Sequence, residues 1–267
     1  ALLHQAVPGD IQQALGEKRY LANDIADVVA AALFRPGGQP WEPCEALQSM
    51  NTATRRLLVF GREPRAGRVK TRLIPALGAA GAAALYTRML SDTVAKASGI
   101  DSADVELWCD FSDTQPQICT ALAQKYGIAL HRQRGGDLGQ RMWHALTADP
   151  LPGVRPTLLI GSDCCGITRD YLREAFDALA AHDGVIGPAM DGGYVLIGMN
   201  RPERRLFEAI PWSSDAVLRR TRQCFDEISW RYAELPLLRD IDEPSDLLHN
   251  EGKAVSNTMV KSTRQLL

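Results

Sequence analysis

The sequence predicts an α/β protein of three layers, with helices on both faces of a mixed, mostly parallel central sheet. From Arg56 onward, short apolar runs of strand type alternate with helical stretches of roughly 10 to 20 residues, a pattern typical of parallel sheets. One pair of apolar runs, 184–190 and 194–200, is separated only by "DGG", which predicts a hairpin. The hairpin makes the predicted sheet mixed instead of purely parallel.

Each predicted strand is a short run dominated by apolar residues, and each predicted helix fills a longer stretch between two such runs. In chain order the strands are "RLLVF" (56–60), "DVELWCD" (104–110), "IALHRQ" (128–133), "TLLIGSD" (157–163), "GVIGPAM" (184–190), "YVLIGMN" (194–200) and "YAELPLLRDID" (232–242). The helices are 79–98, which is rich in alanine, 116–126, 138–148, 168–182 and 214–228.

The first 50 residues follow a different pattern. "RYLANDIADVVAAALF" places apolar residues at helical spacing, which predicts one amphipathic helix, and "RPGGQPWEP" then interrupts regular structure. We therefore divide the chain into an N-terminal extension or linker (1–50), one folded domain (51–250) and a polar, aperiodic, flexible tail (251–267).

Composition and charge narrow the functional classes. The 267 residues are 45% hydrophobic and 23% charged, as in ordinary soluble proteins, and the formal net charge is -2. This balance argues against a nucleic-acid binder, and we expect no membrane segment because we identify no apolar run of spanning length. The six cysteines follow neither metal-site nor disulfide-framework spacing, which predicts reduced thiols in a cytoplasmic protein. The oligomeric state is not predictable from the sequence.

A cation-rich loop follows the first predicted strand. "GREPRAGRVKTRL" (61–73) carries five cations, more than a surface turn needs. It does not have the spacing of a Walker loop, but Gly67 would let the backbone approach a phosphate closely. Lys70 and Arg72 would supply charge for a di- or triphosphate. The alternative is a solvated basic loop, and charge alone does not decide between the two.

Carboxylates end two other predicted strands. Asp163 closes "LLIGSD", and Asp240 and Asp242 stand two residues apart in "RDID", so both would point to one face of an extended strand. In open α/β sheets ligands bind beyond the carboxyl ends of the strands. We therefore predict that Asp163 and at least one of this pair bind Mg²⁺ or Mn²⁺. Alternatively, Asp163 caps a turn and Asp242 begins a helix.

Two further stretches contain candidate site residues. In "GPAMDGGYVLIG" a hairpin turn explains the two glycines, but a turn does not require Asp191 or Tyr194. We predict that these two act in catalysis, by hydrogen bonding to a polyhydroxyl substrate or as a base. In "GGDLGQRMWHAL", Asp137 and Arg141 stand at a glycine-rich helix start, and we expect them to contact the nucleotide. The nearby His144 is expected to be structural.

Taken together, six stretches resemble the rSAM/selenodomain-associated transferase family, in order and with compatible spacing over about residues 55–248. They are "REPRAGRVKTRL", "GGDLGQRM", "LLIGSDCCGI", "GPAMDGGYVLIGM", "LFEAIPWSS" and "DIDEPSDL". That family has a GT-A-type nucleotide-diphospho-sugar transferase fold and is often identified as glycosyltransferases. It is related to molybdenum-cofactor, phospholactate and sugar nucleotidyltransferases. The chain departs from it at Cys165, where the family usually has a proline that would stiffen the turn after Asp163.

The resemblance implies a metal-dependent transferase that uses a nucleotide-activated sugar and a small-molecule acceptor. It assigns the nucleotide phosphates to the "KTRL" loop, the metal to Asp163, and a late acidic partner to the "DID" motif. Some members accompany radical-SAM enzymes in arsenosugar-type pathways, which suggests a sugar-related substrate. A nucleotidyltransferase that releases pyrophosphate from a nucleoside triphosphate stays open as an alternative, as does a nucleotide-binding module without activity.

Overall fold

The computed structural model describes residues 55–111, 115–148, 155–244 and 246. The predicted extension (1–50) and tail (251–267) lie outside these residues. Within them the chain forms seven strands, five α-helices and two short 3-10 turns. In chain order these are β1 (Arg55–Arg62), a 3-10 turn (Thr71–Leu73), α1 (Ile74–Ala97), β2 (Ala103–Asp110), α2 (Ile118–Tyr126), β3 (Ala129–Arg132), α3 (Leu138–Thr147), β4 (Thr157–Gly161), α4 (Arg169–Ala178), β5 (Gly184–Pro188), β6 (Tyr194–Met199), a 3-10 turn (Arg204–Leu206), α5 (Val217–Glu227) and β7 (Tyr232–Glu234).

The seven strands form one sheet in the order β3-β2-β1-β4-β6-β5-β7. β1 pairs in parallel with β2 and β4, β2 pairs in parallel with β3, and β5 pairs in parallel with β7. β6 runs antiparallel to both of its neighbours, β4 and β5. The predicted hairpin is therefore present, and the mixed, mostly parallel sheet is confirmed.

Helices cover both faces of the sheet because successive residues of a strand point to opposite faces. In β1, Leu57 and Val59 pack into a first apolar core together with residues of α1, α2 and α4. Leu58 and Phe60 pack into a second core with residues of α3 and α5. All four side chains are buried. The three-layer arrangement predicted from the sequence is thus confirmed.

The last strand is shorter than the sequence predicts. The stretch 232–242 was expected to be one strand, but β7 ends at Glu234, and beyond it a single parallel bridge joins Leu238 to Ala189. Pro236 lies between the two and has no amide hydrogen to donate to a ladder. Asp240 and Asp242 therefore follow the sheet, and strand alternation does not determine where their side chains point.

The structure joins Cys109, at the end of β2, to Cys119, in the first turn of α2, by a disulfide. The prediction of six reduced thiols is therefore wrong for this pair. Spacing did not reveal it because the two residues are ten apart and meet only when α2 packs over the end of β2. Among the described residues, Cys164, Cys165 and Cys224 are free.

One helical segment passes the length and composition test for crossing a membrane, contrary to the expectation from sequence. An 18-residue window within Thr71–Ala97 has a mean hydropathy of 1.3, and 28% of it is buried. In the structure α1 packs Tyr86, Leu90 and Val94 into the first core. These packed residues lie in the C-terminal half of α1, and a single helix that passes the test is weak evidence of a membrane span.

Candidate active site

A cleft lies at the edge of the sheet where β1 and β4 end. Because these strands are parallel neighbours, their carboxyl ends open at the same edge, and the loops after them meet the β5–β6 turn and the segment after β7. The cleft has a volume of about 390 Å³ and contains six carboxylates and three cations. Its lining residues are Lys70, Arg72, Asp163, Met190, Asp191, Arg239, Asp240, Asp242, Glu243 and Asp246.

Lys70 is the buried cation of the cleft. Its backbone is left-handed, with φ of 45°, and its side chain is only 3% exposed. The Nζ atom lies 3.5 Å from Asp163 Oδ1 and 3.4 Å from Asp242 Oδ1. Arg72, which is more exposed, donates to Asp242 Oδ2 at 3.0 Å. The cation-rich loop thus brings one buried and one exposed cation to the acidic cleft.

Asp240 is the carboxylate with the least favourable surroundings. It is largely buried, and among the described residues its Oδ1 atom has no hydrogen-bond partner. Burial, together with the negative charges of Asp191 and Asp163, raises the pKa of Asp240 to about 7, and Lys70 offsets only part of this effect. A cation placed beside this carboxylate would therefore stabilise its charged form.

We expect Asp240 to make the metal-free protein less stable as the pH rises. Its pKa is about 7 in the folded protein against 3.8 for an ordinary aspartate, so the folded state holds a proton that the unfolded chain has released. This contribution is fully present below about pH 4 and is lost as the pH rises through about 7. In thermal melts with EDTA, the stability of Asp240→Asn relative to the wild type should rise over this range. A constant difference between the two proteins would contradict the expectation.

The β5–β6 turn presents Asp191 to the cleft. Asp191 Oδ1 accepts a hydrogen bond from the Gly193 amide at 2.9 Å. Gly192 has φ of +87°, and a Cβ there would come within 2.4 Å of the backbone of Asp215. The Leu218 amide also donates to the Gly192 carbonyl at 2.8 Å. The turn that carries Asp191 is thus fixed against the loop before α5, and only glycine fits at its centre.

Tyr194 does not line the cleft, although the sequence pairs it with Asp191 as a catalytic residue. Its ring packs edge-to-face with Trp212 at a centroid distance of 6.4 Å, beside the second core. Its hydroxyl is buried without a hydrogen-bond partner among the described residues, and burial raises the pKa of Tyr194 far above its usual range. A neutral, enclosed phenol in this position is not suited to act as a base.

The other predicted nucleotide contacts also lie outside the cleft lining. Asp137 caps α3 by accepting from the Gln140 amide at 2.7 Å. Arg141 donates to Asp110 at 2.9 Å, at the end of β2. Gly67 is exposed in the loop after β1 with φ of +78°, and no other atom lies within 4 Å of where a Cβ would be. The structure therefore brings together Lys70, Arg72, Asp163, Asp191, Asp240 and Asp242, and leaves Gly67, Asp137, Arg141 and Tyr194 outside.

One buried carboxylate near the loop was not predicted. Glu63 accepts hydrogen bonds from the amides of Gln117, Ile118 and Cys119 at 3.0, 2.9 and 3.1 Å, and so caps the start of α2. It lies close enough to both disulfide sulfurs to resemble a metal site. Because its oxygens already accept three amides and the two sulfurs are bonded to each other, we assign this group a structural role. The partners are more than 50 residues away, so no local signal could reveal it.

Packing holds the turn after β4, where the chain carries Cys165 at the position that is usually proline in the family it resembles. Cys165 packs against a small apolar cluster that includes Leu73 and Met89, and its carbonyl accepts from Lys96 Nζ at 3.2 Å. Tyr86 of α1 forms a 2.8 Å hydrogen bond with Ser162, the residue before Asp163. These contacts to α1 restrain the turn without a proline ring.

Comparisons with known proteins find one family model and similar solved structures. Residues 93–214 match the family model described as "Uncharacterized protein conserved in bacteria (DUF2064)". The chain is similar to a solved structure of a provisionally assigned nucleotide-diphospho-sugar transferase from Desulfovibrio desulfuricans G20, with 26% identity and a TM-score of 0.72 over 80% of this chain and 96% of that one. A 4-diphosphocytidyl-2C-methyl-D-erythritol synthase from Anaerococcus prevotii DSM 20548 matches with 11% identity and a TM-score of 0.49 over 74% and 95% of the two chains. No curated protein sequence matches the chain.

Proposed function

We propose that this chain is a divalent-metal-dependent transferase that moves a sugar from a nucleotide-activated donor to a small-molecule acceptor. The observation that carries the proposal is the convergence of Asp163, Asp240 and Asp242 around the buried Lys70, in one cleft at the carboxyl edge of the sheet. Similarity to the Desulfovibrio desulfuricans protein supports a transferase that uses a nucleotide diphosphate. The resemblance of the sequence to the rSAM/selenodomain-associated transferase family supports a sugar as the transferred group.

Asp163, Asp240 and Asp242 would hold Mg²⁺ or Mn²⁺. Carboxylate oxygens are the ligands that these hard cations prefer in proteins. The unpartnered, largely buried Oδ1 of Asp240 fits this role because a cation would compensate the charge that its surroundings oppose. When bound, the ion would neutralise charge on the diphosphate leaving group.

The remaining roles follow from position. Lys70 and Arg72 bind the phosphates of the donor, and Asp191 accepts the proton of the acceptor hydroxyl. Arg141 stays a candidate contact for the nucleotide, because its partner Asp110 also lies 3.9 Å from Arg62 at the start of the cation-rich loop. Tyr194 has no part in the proposal.

Replacing Lys70 with alanine is expected to have opposite effects on nucleotide and metal binding. Loss of a charge-assisted phosphate contact should weaken nucleotide binding by roughly ten- to a hundredfold. Mn²⁺ alone should bind more tightly, because Asp163 and Asp242 lose the cation that partly neutralises them. Calorimetric titrations of Mn²⁺, and of nucleoside diphosphate with Mn²⁺, measure both effects.

Two further variants complete this test. Arg72→Ala should weaken nucleotide binding in the same direction, since Arg72 lines the cleft. Arg65→Ala serves as the matched control from the same loop and should change the affinity less than about twofold, because Arg65 is not among the lining residues. Equal, small losses for all three variants would indicate a diffuse basic surface and no phosphate site.

Product analysis distinguishes sugar transfer from the alternatives. The protein is incubated with Mn²⁺ and a panel of nucleotide sugars, and separately with nucleoside triphosphates, in the presence of mixed small-molecule acceptors. Release of a nucleoside diphosphate from a nucleotide sugar is the expected result. Release of pyrophosphate from a triphosphate would replace the proposal with nucleotidyl transfer. Binding without turnover of any donor would identify a module without activity.

A further inference from the structure

One exposed apolar side chain lines the acidic cleft, and a second belongs to the neighbouring segment that is hydrogen-bonded to it. Met190, which lines the cleft, is 55% exposed, and Leu237 is 57% exposed. Among the described residues, Leu138 is the one other large apolar side chain with comparable exposure. A single exposed leucine needs no explanation, whereas apolar side chains beside a functional cleft are typical of a ligand-binding surface.

The two side chains belong to neighbouring segments of the fold, the turn after β5 and the segment after β7. Ala189 and Leu238 form a parallel bridge, supported by a 3.0 Å hydrogen bond from the Met190 amide to the Leu238 carbonyl. Ala189 and Leu238 pack into or against the first core. Met190 and Leu237, which follow and precede these two residues in the chain, are exposed and face solvent. We call Met190 and Leu237 the apolar ledge.

The cleft beside the apolar ledge has no surplus positive charge. Its six carboxylates and three cations leave an excess of three negative charges, and each cation pairs with a cleft carboxylate at 3.0 to 3.5 Å. One bound divalent cation would reduce this excess to one negative charge, before the donor phosphates are counted. In the proposed function Lys70 and Arg72 contact the donor phosphates, and Arg239 pairs with Asp246 at 3.3 Å, so the cleft offers no further cation to an acceptor that carries its own phosphate or carboxylate.

We propose that the acceptor is a neutral alcohol that carries an alkyl or aryl group, with its apolar part on Met190 and Leu237 and its hydroxyl at Asp191. This inference rests on the proposed function. Met190 and Asp191 are adjacent and line the same cleft, so the apolar ledge continues into the site. The hydroxyl proton passes to the Asp191 carboxylate, and the acceptor oxygen bonds to the anomeric carbon. The bond from that carbon to the diphosphate breaks, and the nucleoside diphosphate leaves with the electron pair.

Methionine-methyl NMR tests the apolar ledge without any donor. The chain has six methionines, and the Met190 resonance is the one missing from Met190→Gln. Titration of the Mg²⁺-containing protein with 1-alkanols, from propanol to octanol, should shift this resonance. The affinity should rise about fourfold for each methylene that becomes buried. Glycerol 3-phosphate should leave the resonance unchanged, and a preference for it would overturn the proposal, as would the absence of chain-length dependence.

Matched variants distinguish alkanol binding at the apolar ledge from other causes of a shift in the Met190 resonance. Leu237→Gln should weaken alkanol binding at Met190 at least about tenfold, the loss expected from removing a large apolar contact. Leu138→Gln, at the first residue of α3 and 43% exposed, should not. Asp240→Asn should abolish metal-dependent nucleotide binding and keep alkanol binding, so failure of the proposed function and failure of the apolar ledge give different results. Self-association that Met190→Gln abolishes would make the ledge an interface with a second copy of this chain and contradict the proposal.

Once product analysis has identified the donor, the rates of sugar transfer to different acceptors provide a second test of the acceptor class. Hexanol should accept the sugar faster than propanol, and glycerol 3-phosphate should be inert as an acceptor. The advantage of hexanol should disappear in Leu237→Gln, whereas donor binding should be unchanged. Equal rates for all three acceptors would overturn the assignment of the acceptor class.

Discussion

Replacing Asp163 with asparagine is expected to abolish Mn²⁺-dependent nucleotide binding while the fold stays intact. The side chain is 53% exposed, and Lys70 keeps its second carboxylate, Asp242, at 3.4 Å, so the variant leaves no buried unpaired charge. The amide keeps the shape of the carboxylate but removes the negative charge that a metal ion requires. Calorimetric titration should show an affinity at least about a hundredfold weaker, which corresponds to roughly 2.7 kcal/mol.

The matched control removes a carboxylate that has no place in the cleft. Asp170 lies in the first turn of α4 with a side chain 92% exposed, and among the described residues it pairs with Arg173 in the same helix at 2.9 Å. Asp170→Asn should bind Mn²⁺ and nucleotide like the wild type. If Asp163→Asn also bound them like the wild type, Asp163 would not be a metal ligand.

Replacing Glu106 with alanine is expected to lower the free energy of unfolding by about 3–5 kcal/mol, because it leaves a buried guanidinium without its counter-charge. Arg56 of β1 is fully buried and donates to both carboxylate oxygens of Glu106 on β2. Trp108 Nε1 donates to the same carboxylate at 2.7 Å, and the Leu146 carbonyl accepts from Arg56 at 3.2 Å. Denaturant unfolding measures the loss.

The control for Glu106 is an ion pair on the surface. Arg204 and Glu208 pair with side chains 66% and 53% exposed. Glu208→Ala should change the free energy of unfolding by at most about 1 kcal/mol, because solvent screens exposed pairs. A loss of this small size at Glu106 as well would mean that water or other groups compensate the charge of Arg56.

The layer architecture could be predicted because its signals are local. All seven strands and all five helices occur where alternating apolar runs and helical spacing indicate them. The sequence also indicated the place of Lys70, Arg72 and Asp163, which follow the ends of β1 and β4, where α/β sheets bind ligands, and which line the cleft. The burial of Lys70 could not be predicted from the sequence, because it depends on carboxylates from two distant segments.

The positions of the candidate residues that lie outside the cleft depend in part on contacts distant in sequence. Tyr194 follows the glycine turn directly, yet it packs against Trp212 from the loop before α5. The pairing of β5 with β6 also shifts register at Gly187 and Pro188, so residue spacing alone does not determine which side chains reach the cleft. Asp137 has a capping sequence that is as typical of a helix start as of a ligand contact, and the structure uses it as a cap.

The most direct test of the account is the stability of the wild-type protein with nucleoside diphosphate, in Mn²⁺ and in EDTA. A ligand that binds only the folded state stabilises it by about 2.7 kcal/mol at a hundred times its dissociation constant. We predict that Mn²⁺ and nucleotide together raise the thermal midpoint by more than the sum of their separate effects, because the cleft carboxylates and Lys70 bind both at once. The same increase with nucleotide in EDTA would contradict a metal-bridged diphosphate site.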